Sequence, residues 1–214
     1  ILHVGIPAAG TNAIIPIATA IITAMIARYG ADAVAGFGEA SRVESLVLVI
    51  FYALSAVIGP IVGQNLSAGK EERILRALRL CTRFCLGSGL LVAAVLAVLA
   101  GFLPTLFSDN VAVIDVAGLF MLIAPIGYGT FGMVMVMNAA VNGLGKPMPG
   151  VMVSLLRTIV IYVPLALVAN HWFGIAGIFG AYAVANVVTG IVAYSWARRV
   201  VGQQCQREAT AYSA

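Results

Sequence analysis

Of the 214 residues, 62% are hydrophobic and only 9% are charged; 12 Lys and Arg stand against 8 Asp and Glu, for a formal net charge of +4. A soluble domain carries about 25% charged residues, so the polar shell that a water-soluble core needs cannot be assembled here, and a mean hydropathy of +1.05 excludes a disordered chain as well. The three cysteines, Cys81, Cys85 and Cys205, are an odd number without metal-ligand spacing, which argues against a disulfide framework and against a zinc site.

Taken in chain order, the stretches free of Asp, Glu, Lys and Arg are residues 1–27, 45–69, 84–108, 116–145, 147–156 and 158–197. About 20 apolar residues cross a bilayer as a helix, so the first four predict spans over about 3–28, 34–66, 72–104 and 111–142. The run 158–197 is long enough for two. Its break falls at Asn170-His171-Trp172-Phe173-Gly174, where polar and aromatic residues mark an interface turn. The part before the break joins the short run across Arg157, predicting spans over about 148–169 and 173–199. The alternation of a β-barrel strand is missing. Residues 1–200 therefore read as one all-α, polytopic membrane bundle of six transmembrane helices, and 201–214 as a cytoplasmic tail.

Basic residues set the orientation. Lys70, Arg73, Arg76, Arg79 and Arg83 lie between spans two and three, Lys146 between four and five, and Arg198, Arg199 and Arg207 after span six. The turns at 108–110 and 170–171 carry none, and the first carries only Arg28. Positive charge stays on the cytoplasmic side, so both ends are expected in the cytoplasm, with the bundle in a bacterial cytoplasmic (inner) membrane. The basic segment reads as a solvated or lipid-headgroup-facing helix start. No aromatic residues interleave with its charges, so nucleic acid is not expected as a partner. The chain opens at Ile1 within an apolar run that has no basic n-region, which is unlike a signal peptide; it is expected to begin part-way through a longer protein. A helix bundle without a soluble domain points first to transport, and many carriers hold their binding site between two similar halves.

The second span ends in Gly59-Pro60-Ile61-Val62-Gly63-Gln64-Asn65-Leu66-Ser67-Ala68-Gly69-Lys70. This resembles the segment closing the second helix of each half in multidrug and toxic compound extrusion (MATE) transporters, with Gly63, Gln64, Asn65 and Gly69 as the motif residues. Gly5-Ile6-Pro7-Ala8, Ser41-Arg42-Val43-Glu44-Ser45 and Gly143-Leu144-Gly145-Lys146-Pro147 match further family segments in order and spacing. The resemblance implies the carboxy-terminal six-helix lobe of a secondary active efflux transporter. Such a protein exports small organic, often cationic, compounds by proton or sodium antiport through alternating access. Its partners would be the organic substrate, membrane lipid and an amino-terminal six-helix lobe of the same protein; no cofactor beyond the coupling ion is implied. The first two spans should line the cleft between lobes, which places Thr11, Asn12, Glu39, Arg42 and Glu44 near it. Family members with a sodium site in this lobe pair acids on its first and fourth helices, whereas this first span has neither Asp nor Glu.

Electrostatics points to the second span independently. A charge at a helix centre costs about 2.5–3.5 kcal/mol, so Glu39, Arg42 and Glu44 need compensation. Glu39 and Arg42 are three apart and share a face, which permits a local pair. At 1.5 Å per residue Glu44 is about 15 Å from one membrane face and Arg157 about 14 Å from the other, both near the midplane. These depths predict that Glu44 and Arg157 face each other inside the lobe. Such a pair is a fixed packing element, a proton or cation carrier, or a contact with the other lobe. In the second case separation of the two drives proton uptake, since burial disfavours and a nearby cation favours the charged carboxylate.

Weaker candidates are Tyr128 and Asn138, read either as substrate hydrogen-bonding groups or as interhelical glue, and Pro16, read either as a hinge or as a static kink. Asp115 is expected at the outer interface. Gly87, Gly89, Ala93, Ala94 and Ala97 form a small-residue strip that permits close helix approach, and Met133, Met135 and Met137 read as packing residues more than as a drug surface. His3 and His171 lack ligand spacing, so neither a metal site nor an enzyme is expected. The alternatives are a lipid-linked precursor flippase of the same superfamily and a channel or other non-transporting membrane subunit.

Overall fold

The computed structural model describes residues 17, 19–145 and 148–212, with side chains through 204, and among these described residues helix is the only regular structure. This follows from the solvent: within hydrocarbon each backbone N–H and C=O must find its partner inside the segment. The helices are α1 (Thr19–Tyr29), α2 (Ala31–Ser67), α3 (Glu71–Leu99), α4 (Val111–Ile123), α5 (Tyr128–Gly143), α6 (Met148–Leu155) and α7 (Val163–Tyr212). Among the described residues, four helical segments are long and apolar enough to cross a membrane: Ala31–Ser67, Glu71–Leu99, Val111–Gly143 and Met148–Gln204.

Local chemistry sets the ends. α2 stops at Gly69, whose φ of 66° suits a residue without a Cβ, and the Lys70 N–H closes the turn on the Asn65 carbonyl at 2.9 Å. Glu71 and Glu72 open α3, where carboxylates favour the positive end of the helix dipole. The Asn110 side chain accepts from the Ala112 N–H at 3.0 Å and caps α4; its amide donates to Asp32 Oδ1, also at 3.0 Å, tying α4 to the start of α2.

Three departures from the predicted spans have physical causes. The third helix ends at Leu99, not near 104, and the chain then turns through a short 3-10 segment, Leu103–Leu106, with Pro104 in its first turn. The fourth crossing is two helices joined by a 3-10 turn, Ala124–Gly127, where Pro125 removes a backbone donor. Helix also continues past 199 to Tyr212. Apolarity ends near 199, but Gln, Arg, Glu and Ala are good helix formers and no Pro interrupts them.

The segment from Met148 onward is far longer than one crossing requires. It contains a π-helical stretch, Leu156–Tyr162, next to Pro164, whose missing N–H a local change of register accommodates. Gly174 breaks it again with φ 60° and ψ −143°, inside the predicted interface turn. The chain folds back there, which brings the Tyr182 ring to 5.4 Å from that of Tyr162.

α5 is the central helix, packed against α2, α3 and α7. Small residues make these contacts close: a Cβ on Gly89 of α3 would lie 2.3 Å from the Gly129 backbone of α5. Phe37, Phe120 and Phe179 stack or meet edge-on at 5.0–6.2 Å between α2, α4 and α7. Large apolar side chains such as Leu46, Leu90, Val98 and Trp172 are more than 70% exposed, as fits a surface facing lipid. The protein is an all-α integral membrane bundle.

A polar cavity within the lobe

Between its helices the bundle forms a partly open cavity of about 410 Å³. α2 contributes Ser41, Glu44, Ser45 and Tyr52; the π stretch contributes Arg157, Thr158 and Tyr162; α7 contributes Tyr182 and Asn186; Phe131 of α5 and Phe120 of α4 close its walls. The π stretch matters locally, because an inserted residue shifts the helical register and re-aims the side chains within it.

Glu44 and Arg157 both open onto this cavity, but the direct pair expected between them is not made. Tyr182 Oη donates to Glu44 Oε1 at 2.8 Å. Arg157 Nη1 donates to Asn186 Oδ1 at 3.2 Å, and the Arg157 guanidinium carbon sits 4.7 Å over the centre of the Phe131 ring, within cation–π range. Each charge is thus held by its own neutral partner, and the two partners are one helical turn apart on α7. The buried Arg157 Nε and Asn186 Nδ2 make no hydrogen bond among the described residues.

The other predicted residues are dispersed. Glu39 and Arg42 do not pair: Arg42 is exposed, whereas Glu39 Oε2 is tucked inside without a hydrogen-bond partner among the described residues. Tyr128, 1% exposed, stands beside the Glu44 carboxylate. Asn138 is away from the cavity and donates to Ser154 Oγ at 3.4 Å, linking α5 to α6. Met133 and Met137 are buried in the core and Asp115 is exposed. Thr11, Asn12 and Pro16 lie outside the described residues.

The motif residues serve architecture. Gly63 faces the Gly143 carbonyl, and a Cβ on Gly143 would lie 2.4 Å from the Gly59 carbonyl oxygen, so the ends of α2 and α5 touch through glycine. Asn65 Nδ2 donates back to the Ile61 carbonyl at 2.8 Å, Gln64 is exposed, and Gly69 terminates the helix. Two segments picked out separately in the sequence therefore meet.

Tyr182, Asn186, Phe131, Thr158 and Tyr162 were not selected from the sequence. A signal existed for two of them. Tyr182, Asn186 and Thr189 recur at i, i+4 and i+7, a polar stripe on an otherwise apolar helix, and both Asn186 and Thr189 are fully buried.

Comparison with known proteins gives this architecture its relatives. The MatE family profile matches residues 7–168. The chain is 35% identical over 198 residues to a protein of Shewanella oneidensis named FAD transporter, covering 92% of this chain and 44% of that one. It is 24% identical over 182 residues to the probable multidrug resistance protein NorM of Thermotoga maritima, covering 85% and 39%. Among solved structures, the Vibrio cholerae MATE transporter VcmN in its bent form superposes with a TM-score of 0.91 at 30% identity, over 95% of this chain and 46% of that chain. The chain spans about half the length of the relatives it matches. It belongs to the multidrug and toxic compound extrusion family of membrane transporters.

Proposed function

We propose that this chain forms one lobe of a secondary active efflux transporter, working with a second six-helix lobe by alternating access, in a cytoplasmic membrane with both ends of the lobe on the cytoplasmic side. In this reading a proton or sodium ion taken up at Glu44 is exchanged for an organic compound. The observation that carries it is the segregation of charge in the cavity: Glu44 rests on Tyr182 and Arg157 on Asn186, which leaves the carboxylate free of a direct ion pair and available to a cation. A structural ion pair would be bonded partner to partner. The aromatic walls of the cavity suit a flat organic molecule, and flavin adenine dinucleotide is the first substrate to try, given the name of the 35% identical relative.

The test is efflux from proteoliposomes containing the full-length protein under an imposed proton or sodium gradient. Glu44→Gln is expected to reduce gradient-coupled efflux at least about tenfold, while wild type shows which gradient drives it. Undiminished gradient-driven efflux by the variant would remove the carrier role of Glu44, and a conductance without saturable efflux would favour a pore.

A further inference from the structure

We propose that Arg76, Arg79 and Arg83 on α3 form a binding site for the headgroup of an anionic phospholipid in the inner leaflet. The three arginines recur at i, i+3 and i+7, so they project within about 60° of one another around the helix. With Leu80 they line a surface groove of about 270 Å³. All three are exposed; Arg79 Nε turns back to the Leu75 carbonyl at 3.4 Å, and none has a carboxylate partner among the described residues. Glu72, one turn before Arg76, is the nearest acid along this face.

The apolar surface below the arginines selects a lipid over a soluble anion. Leu80, Leu90, Leu91 and Val98 continue the same face and are 56%, 75%, 65% and 83% exposed. From Arg83 to the end of α3 at Leu99 is about 24 Å at 1.5 Å per residue. The turn beyond, with exposed Phe102 and Phe107, completes the ~30 Å of a bilayer core. Arg83 therefore lies at the inner boundary of the hydrocarbon, with Arg79 and Arg76 roughly 6 and 10 Å further out, at the level of the phosphates. Guanidinium groups grip phosphate oxygens two at a time, and acyl chains can lie along the leucines beneath. A nucleic acid or an acidic protein would find the charges but has no use for the apolar strip.

Native mass spectrometry of the purified full-length protein with equimolar phosphatidylglycerol and phosphatidylcholine tests the site. Wild type is expected to retain phosphatidylglycerol about tenfold over phosphatidylcholine. The Arg76→Gln/Arg79→Gln/Arg83→Gln variant is expected to fall to about twofold, and Arg198→Gln/Arg199→Gln to keep the wild-type ratio. A photoreactive phosphatidylglycerol on unaltered protein supplies a second readout should the triple variant fail to fold; its label is expected within residues 76–98. An equal ratio in wild type, an unchanged ratio in the triple variant, or labelling elsewhere would overturn the site, as would an arginine face covered by another part of the full-length protein.

Discussion

Tyr182 holds the Glu44 carboxylate through one hydrogen bond, and the ring that carries the hydroxyl also packs against Tyr162 and Phe120. Tyr182→Phe removes the first interaction and keeps the second. A hydrogen bond to a charged group contributes about 1.5–3 kcal/mol, so the thermal midpoint in detergent is expected to fall by that loss while gradient-coupled efflux drops about tenfold or more. Tyr182→Leu, which also removes the ring contacts, should lower the midpoint further. Asn186→Leu acts on the other charge: it strips Arg157 of its hydrogen-bond partner in a buried setting. A loss of about 1.5–3 kcal/mol is expected, read as a lower thermal midpoint. A variant with unchanged stability would mean that the cation–π contact with Phe131 suffices.

Helices in this protein approach one another to the distance their smallest residues allow. The strip Gly87 to Ala97 was legible as a packing surface, but periodicity could not say which glycine touches a neighbour. Gly89 does, since its Cβ would collide with the Gly129 backbone, whereas a Cβ on Gly87 meets nothing within 4 Å. Gly89→Ala is therefore expected to destabilise by about 1–3 kcal/mol through overpacking. Gly87→Ala should be neutral or stabilising by up to about 1 kcal/mol from helix propensity. Thermal unfolding of the two variants in detergent separates these outcomes; equal behaviour would mean that α3 and α5 are not in backbone contact. The breaks were legible to different degrees. Pro125 and the Asn170–Gly174 turn announce themselves by residue type, but the π stretch over Leu156–Tyr162 does not, because Pro164 beside it marks a disturbed helix without saying how the backbone adjusts.

For the whole molecule, the basic segments predict a single topology that labelling can check. In a full-length protein with its native cysteines replaced, Asp109→Cys is expected to react with a membrane-impermeant thiol reagent added outside intact cells, and Lys70→Cys only after lysis. The reverse pattern would invert the assignment of faces. Hydrophobicity, span spacing, the positions of basic residues and the glycine motif were all present in the sequence, because each is a property of one helix or one turn at a time. Those local properties determined that the chain is an all-α membrane bundle and what family it resembles. The cavity was another matter: Glu44 and Tyr182 are 138 residues apart and Arg157 and Asn186 are 29 apart. Depth counting brought Glu44 and Arg157 to the same level of the membrane but carried no information about rotation of one helix against another. Only the packed bundle, with its π turn and its fold-back at Gly174, decided that the two charges share a cavity and are held by separate neutral side chains.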